Sequence, residues 1–334
     1  MSYRQTTGGR RLVLPLIAMG VVMACGFAGS AAAQAYPVKP VTIINPFPGG
    51  ATEIGARVYS QKLGESLGKP FIIDYKPGAG SVIATNFVAR APADGYTLLI
   101  TSAAFTIVPA TRSDLPYDPF TDLAPISLTL IKPAMLLVKP ELPIRNFEEY
   151  VAYARTNPGK LNFGTTGMGG AYHMVGVWLH GGTNTQATFL HYKGTSALFA
   201  DLLAGRIDVT PSSIFNGLTY VKSGKLRPVA VLGKERSPMV PGLKTVAEQG
   251  LPDFDYFSWE AMFTGGKVPR SIVATLSAEF GKIAKMPDVI QKFSGSDGSI
   301  LLGSNAEVLA QHVATEIGRW KKIVKDNNIV AAED

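Results

Sequence analysis

From residue 41 onward, short apolar runs alternate with amphipathic stretches. The runs at 41–44, 71–75 and 96–101 predict strands, and the stretches at 52–67 and 81–90 predict helices. In the first of these helices Ile54, Val58, Tyr59, Leu63 and Leu67 recur at helical spacing and share one broad face. Strand, helix and strand in repetition imply a largely parallel sheet covered on both faces, an α/β architecture. Ligands of such sheets sit beyond the carboxyl ends of the strands.

A second block repeats the plan. The stretch "APISLTLIKPAMLLVKP" predicts two extended segments broken at Pro133. Helices follow near 146–156, 171–180 and 195–204, with strands at 161–163 and 188–192, near 207–210 and at 228–232. An aromatic, extended stretch at 251–264 leads to helices near 269–284 and 305–325. In the last, Val308, Leu309, His312, Val313, Ile317, Trp320 and Ile323 recur at helical spacing and are expected to pack on a core. Two lobes of one plan, joined by crossovers near 128–138 and 251–264, divide the chain. Residues 1–35 form an export signal, 36–132 the first part of lobe 1, 133–252 lobe 2, and 253–334 the return to lobe 1.

The N-terminus changes the charge picture. Residues 1–35 carry Arg4, Arg10 and Arg11 and no acid, then "LVLPLIAMGVVMACGFAG", then the small-residue end Ala33-Gln34-Ala35. This pattern reads as a secretory signal cleaved after Ala35, which directs the chain to the periplasm. Pro15, Gly20 and Gly26 weigh against a membrane span. The stretch "VMACG" around Cys25 resembles a lipoprotein processing box, but cleavage after Ala35 is the preferred reading. It leaves a mature chain without cysteine, hence without disulfides, a thiol nucleophile or thiolate metal ligands. Loss of three arginines takes the formal charge from +7 to +4. No Lys/Arg cluster interleaved with aromatics remains, so nucleic acid is not an expected partner.

Candidate chemistry concentrates at glycines. In "NPFPGGATEIGAR" (45–57) a strand stops at a glycine pair and feeds a helix, whose first N–H groups have no partner within the helix. No lysine follows the glycines, which excludes a P-loop, and G-x-G-x-x-G is absent. A carboxylate cradle and a plain turn both remain, with Thr52 placed to cap or to donate a hydroxyl. "YKPGAGSVIATN" (75–86) reads as an ordinary turn with Ser81 starting a helix. "FGTTGMGGAYH" (163–173) sets Thr165, Thr166 and four glycines at another strand's carboxyl end. Lys193 and Thr195 occupy a similar strand-to-helix junction. Two such loops facing across a cleft would hold an anion mainly by backbone N–H groups and hydroxyls.

Catalytic and metal patterns are poor by comparison. Of His173, His180, His191 and His312, the first two can share a helix face, but no third ligand has suitable spacing for zinc. His312 reads as a packed core histidine. Neither G-x-S-x-G nor H-E-x-x-H occurs, so no catalytic residue, metal or cofactor is expected. Tyr172, Phe215, Tyr256, Phe257 and Trp259 are candidates for either pocket lining or core.

Together these pieces resemble one family. "YPVKPVTIINPFPGGATEIGARVYSQKLGESLGKPFIIDYKPGAGSVIATNFVARAPADGYTLLI" is similar to the start of the Bug-type extracytoplasmic binding proteins, the solute receptors of tripartite tricarboxylate transporters. The resemblance continues through "LPYDPFTDLAPIS", "NPGKLNFGTTGMGGAYH", "HYKGTSALFADLLAGRIDV", "VKSGKLRPVAVLGKERSPMVPGLKTVAEQGLPDF" and "EIGRWKKIVKDNNI". It implies a two-lobed periplasmic binding protein type II fold with the ligand cleft between the lobes, and no catalysis. It also implies ligand contacts, through backbone and water, at Pro48, Gly49, Gly50, Ala51, Thr52 and Glu53. The facing loop supplies Thr165, Thr166, Gly167, Gly169 and Gly170; further contacts fall at Ser102, Ala103, Lys193, Gly194 and Thr195. Two departures stand out. Only Pro48 separates Phe47 from the glycine pair, one residue fewer than usual, and the usual aspartate is Glu53.

The resemblance therefore implies a monomeric receptor that captures a small di- or tricarboxylate, aromatic ones included, by lobe closure. It would deliver the ligand to membrane permease subunits. An α/β enzyme acting on an anionic substrate, with His173 or Glu53 as its base, and a ligand-loaded partner of a membrane sensor remain open.

Overall fold

The computed structural model describes residues 1–3, 5, 36–49, 52–192 and 194–327. Nearly all of the expected signal, with Cys25 and Ala35, lies outside the described residues, as do Gly50, Ala51 and Lys193.

The first half alternates as the apolar runs require: β1 (Val41–Asn45), α1 (Glu53–Leu67), β2 (Phe71–Tyr75), α2 (Val82–Ala89), β3 (Thr97–Ser102) and α3 (Ala104–Thr111). β1 pairs in parallel with β2 and with β3. A long strand, β4 (Leu123–Val138), then leads into α4 (Phe147–Thr156), β5 (Asn162–Thr165), α5 (Ala171–Thr183), β6 (Thr188–His191) and α6 (Thr195–Leu203). β7 (Val209–Ser213), α7 (Ile214–Lys222) and β8 (Arg227–Val231) complete this half. The chain returns through β9 (Phe257–Gly265) and ends in α8 (Arg270–Ile283), α9 (Pro287–Asp297), β10 (Ile300–Leu301) and α10 (Ala306–Asp326). The strands follow the order β2-β1-β3-β9-β4-β7-β5-β6.

The sheet is mixed rather than largely parallel, because β4 and β9 pair antiparallel with all their neighbours. β4 corrects a second expectation. It runs unbroken for 16 residues through Pro133. Leu123 to Pro133 pair with β9, and from Ala134 onward the partners are β7 and β8. Proline cannot donate to a ladder, and Pro133 sits where the strand exchanges one neighbour for another. The residue expected to break the strand marks its change of partner instead.

Three helices were not anticipated: α3, α7 and α9. α3 buries Phe105, Thr106, Ile107 and Val108 in succession, so no one-sided stripe announces it, and Pro109 lies within it. α9 begins with Pro287 at its first position, where a missing N–H is harmless.

Neighbouring strand residues divide between cores with the period of two that a pleated strand imposes. Ile44, Leu99 and Leu136 join one cluster that runs through both halves beside α10. Ile43, Leu98 and Ile100 face a second under α1, α8 and α9, and Met135 and Leu137 a third under α6 and α7. α10 buries Leu309, Val313, Ile317, Trp320 and Ile323 as expected, whereas Val308 is exposed. His312 is half-buried, stacked on Phe257 with ring centroids 5.7 Å apart. The Glu316 carboxylate accepts from the indoles of Trp320 (3.1 Å) and Trp259 (3.4 Å) and pairs with Arg319 at 2.9 Å. Arg319 also donates to the Asp255 carbonyl (2.7 Å) and lies over the Trp178 ring of α5. α10 is thus fastened to β9 and to both halves of the sheet.

Candidate functional site

Five strand-to-helix junctions converge on one cavity of about 1040 Å³. Phe47, Pro48 and Gly49 follow β1, Ala79 and Gly80 follow β2, and Ser102, Ala103 and Ala104 follow β3. Across from them, Thr166 and 168–173 follow β5, and 194–197 follow β6. Tyr256 and Ser258 flank the start of β9. These positions are where a parallel sheet presents its carboxyl ends and its helix N-termini.

The helices that start at the cavity lack side-chain caps. α3 begins after Ala103, α5 after Gly170 and α6 after Gly194, and among the described residues no side-chain cap hydrogen bond closes their first turns. α4, α7 and α10 start elsewhere and are capped by Asn146, Ser213 and Asn305. α1, α2, α8 and α9 also lack side-chain caps; α8 follows Pro269 and α9 begins at Pro287, and the N-cap residues of α1 and α2, Thr52 and Ser81, do not line the cavity. Three helix starts with amides open toward one cavity make a site for a negatively charged group.

The first loop supports the site indirectly. Thr52, fully buried, donates to Asn45 Oδ1 at 2.7 Å, and Phe47 N–H donates to the same oxygen at 2.9 Å. The Glu53 carboxylate accepts from Gly49 N–H (3.3 Å) and the Tyr75 hydroxyl (2.8 Å) and pairs with Arg57 at 2.6 Å. Burial raises its pKa, but these partners outweigh burial and hold it below its ordinary value. Neither Thr52 nor Glu53 lines the cavity; both brace the loop that does.

The facing loop is braced similarly. Gly169 N–H donates to His173 Nδ1 at 3.0 Å, and Gly170 N–H to the Gly167 carbonyl at 3.2 Å. Those loop amides are therefore occupied, and the open ones belong to the first turn of α5. Thr165 is buried behind the wall, 2.6 Å from His191 Nδ1, and Gly167 also stays off the cavity surface. Burial, reinforced by the nearby His191, pushes the His173 pKa down to about 4, so its imidazole is neutral at neutral pH.

Of the expected site residues, the structure brings together Pro48, Gly49, Ser102, Ala103, Thr166, Gly169, Gly170, Gly194 and Thr195. Tyr172 and Tyr256 line the cavity, whereas Phe215, Phe257 and Trp259 do not. Ala79 and Gly80 were missed, because their stretch read as an ordinary turn. In fact Gly78 to Ser81 all have positive φ (126°, 44°, 60° and 86°), and Ala79 and Ser81 are not glycine. Such a run costs energy and brings the backbone up to the cavity. Arg112, at the end of α3, was missed as well; the glycine signal lies far from it in sequence. Among the described residues it is the only Lys or Arg lining the cavity, and no Asp or Glu lines it. No group of His, Cys, Asp and Glu among the described residues is arranged to hold a metal.

The chain matches the family described as "Tripartite tricarboxylate transporter family receptor" over residues 55–329. It is 29% identical to "Protein BugT" of Bordetella pertussis, over 93% of this chain and 96% of that protein. "R. palustris Rpa4515 with adipate" superposes with a TM-score of 0.77 and 30% identity, over 88% of this chain and 99% of that one. "MatC (Rpa3494) from Rhodopseudomonas palustris with bound malate" gives 0.74 and 29%, over 86% and 100%.

Proposed function

Because the chain belongs to the tripartite tricarboxylate transporter receptor family, we propose that it binds a small organic carboxylate and hands it to membrane permease subunits. The observation that carries this reading is the convergence of three uncapped helix starts on a cavity without a carboxylate of its own among the described residues. An anion placed there gains charge-assisted hydrogen bonds that strengthen as water leaves. The solved relatives with adipate and malate support the same ligand chemistry.

Binding is coupled to closure of two lobes, divided as 36–132 with 253–334 against 133–252. A ligand that touches both walls only when they approach favours the closed state by that difference in contacts. The junctions after β1 and β3 supply one wall, those after β5 and β6 the other. Gly50, Ala51 and Lys193, neighbours of these positions in the sequence, are included in the proposed contact set. The receptor acts as a secreted monomer, released by cleavage after Ala35, and performs no chemistry. The two groups best placed as bases are engaged: Glu53 by Gly49, Tyr75 and Arg57, and His173 Nδ1 by Gly169.

A thermal-shift screen of mono-, di- and tricarboxylates on the mature chain, followed by calorimetry, tests the proposal. At least one acid should bind and emerge chemically unchanged. Thr166→Ala should weaken it about threefold to tenfold, the worth of one neutral hydrogen bond, with the melting temperature of the free protein preserved. Indifference to every acid overturns the reading.

A further inference from the structure

The cavity has two chemically different ends, and α3 connects them. Ser102, Ala103 and Ala104 lie at the start of this helix, Val108 along it, and Thr111 and Arg112 at its end; all six line the cavity. Eight residues at helical rise set the ends about 12 Å apart. The first end offers open amides. The second offers a guanidinium, which at the helix C-terminus also complements the helix dipole. Arg112 stands at the rim, since it also lines an adjoining surface groove of about 790 Å³.

Resting on the carboxylate reading, we propose that Arg112 is the residue that selects ligands carrying a second, distal carboxylate. Its guanidinium is held in a fork by Asp114, Nε to Oδ1 at 3.1 Å and Nη2 to Oδ2 at 3.0 Å. The Asp114 side chain is 70% exposed and that of Arg112 26%, so their attraction is weakened by water. A ligand carboxylate arrives from the drier, cavity side and meets a guanidinium already shaped for bidentate pairing. Between the two ends the wall is apolar, with Val108, Ala103 and Ala104 facing a methylene chain. A monocarboxylate satisfies only the amide end. Arg112 is thereby a specificity determinant, and Asp114 is one of its resting partners.

The test measures Kd by calorimetry for three pairs of equal carbon count: succinate and butyrate, adipate and hexanoate, suberate and octanoate. In the native chain at least one dicarboxylate should bind about tenfold to hundredfold more tightly than its monocarboxylate partner. Arg112→Met should erase that preference while the monocarboxylate Kd stays within about twofold. Arg112→Lys, which keeps the charge and loses the fork, should retain an intermediate preference. Asp114→Asn should tighten dicarboxylates by about twofold to fivefold by weakening the resting pair. A full preference in folded Arg112→Met, or none in the native chain, overturns the proposal. If Arg112→Met does not fold, the lysine variant and Asp114→Asn decide it: unaltered preference in both overturns it. Binding of monocarboxylates and dicarboxylates alike leaves the carboxylate reading standing and removes only Arg112 from it. Failure of all six acids to bind overturns this proposal; the carboxylate reading falls only if the tricarboxylates and aromatic acids of the wider screen fail as well.

Discussion

α6 and α10 both begin after an extended residue that could carry a cap, yet only α10 has one. Asn305 accepts from Val308 N–H at 2.9 Å and closes the start of α10. Gly194, at the equivalent position of α6, has no side chain and leaves the first turn open to the cavity. The same contrast separates α3 and α5 from α4 and α7. A cap is a small, readily available stabilisation, of about 1 kcal/mol. Three helix starts at one cavity do without it, which is the pattern expected where a ligand takes the place of the cap.

The largest effect should come from closing an open start. Gly194 is fully extended (φ 174°, ψ 166°), and a Cβ there meets nothing within 4 Å, so other residues fit. Gly194→Asp supplies a cap to α6 and a negative charge to the cavity at once. Stability should rise by a few tenths of a kcal/mol, while affinity for the tightest acid of the panel falls about a hundredfold or more. Gly194→Asn caps without charge and should fall between the two. Calorimetry and melting curves on both variants separate competition for the amides from charge repulsion; unchanged affinity in both would show that α6 does not serve the ligand.

α5 carries the contrast within one helix. Its start opens on the cavity, whereas its far end is closed by His180, which lies 2.9 Å from the Tyr150 hydroxyl and 2.8 Å from Thr185 Oγ1. Burial pushes the His180 pKa down to about 4, against about 6.5 in the unfolded chain. The folded state therefore resists the proton. The stabilisation is complete above about pH 6.5 and is lost as pH falls toward 4, about 2 kcal/mol from this group by pH 4.5. His173 and His312, both also near 4, act in the same direction. Urea midpoints measured between pH 7 and 4.5 should fall, and His180→Gln should flatten the slope. An equal slope in that variant would move the effect elsewhere.

The sequence revealed the parts of this site that depend on backbone and concealed those that depend on distance. Glycine stretches after apolar runs marked Gly49, Gly169 and Gly170, because a turn that must let a ligand approach needs residues without bulk, and the family resemblance added Gly194. Ala79 escaped notice, since an alanine in a left-handed conformation leaves no trace in composition. Arg112 escaped for another reason: only the folded length of α3 brings it to the cavity reached by Ser102. Glu53 and Thr52 were legible as members of the loop but not as its braces, which required the positions of Asn45 and Tyr75. At the level of the fold, Pro133 looked like a break because the rule against proline in a ladder is local. A strand that exchanges partners satisfies the rule without ending.

The smallest effect sharpens the comparison from the other side. Asn305→Ala removes the cap of α10 and leaves the Val308 N–H to water. The loss should be about 1 kcal/mol, or roughly 1–2 °C in melting temperature for a chain of this size. Affinity for the same acid should stay within about twofold, because Asn305 does not line the cavity. The two variants are thus opposite in both readouts: Gly194→Asp slightly stabilises and severely weakens binding, and Asn305→Ala destabilises and leaves binding alone. Should Asn305→Ala also weaken binding, α10 would be coupled to closure through its packing on both halves, and capped and open starts would not be independent.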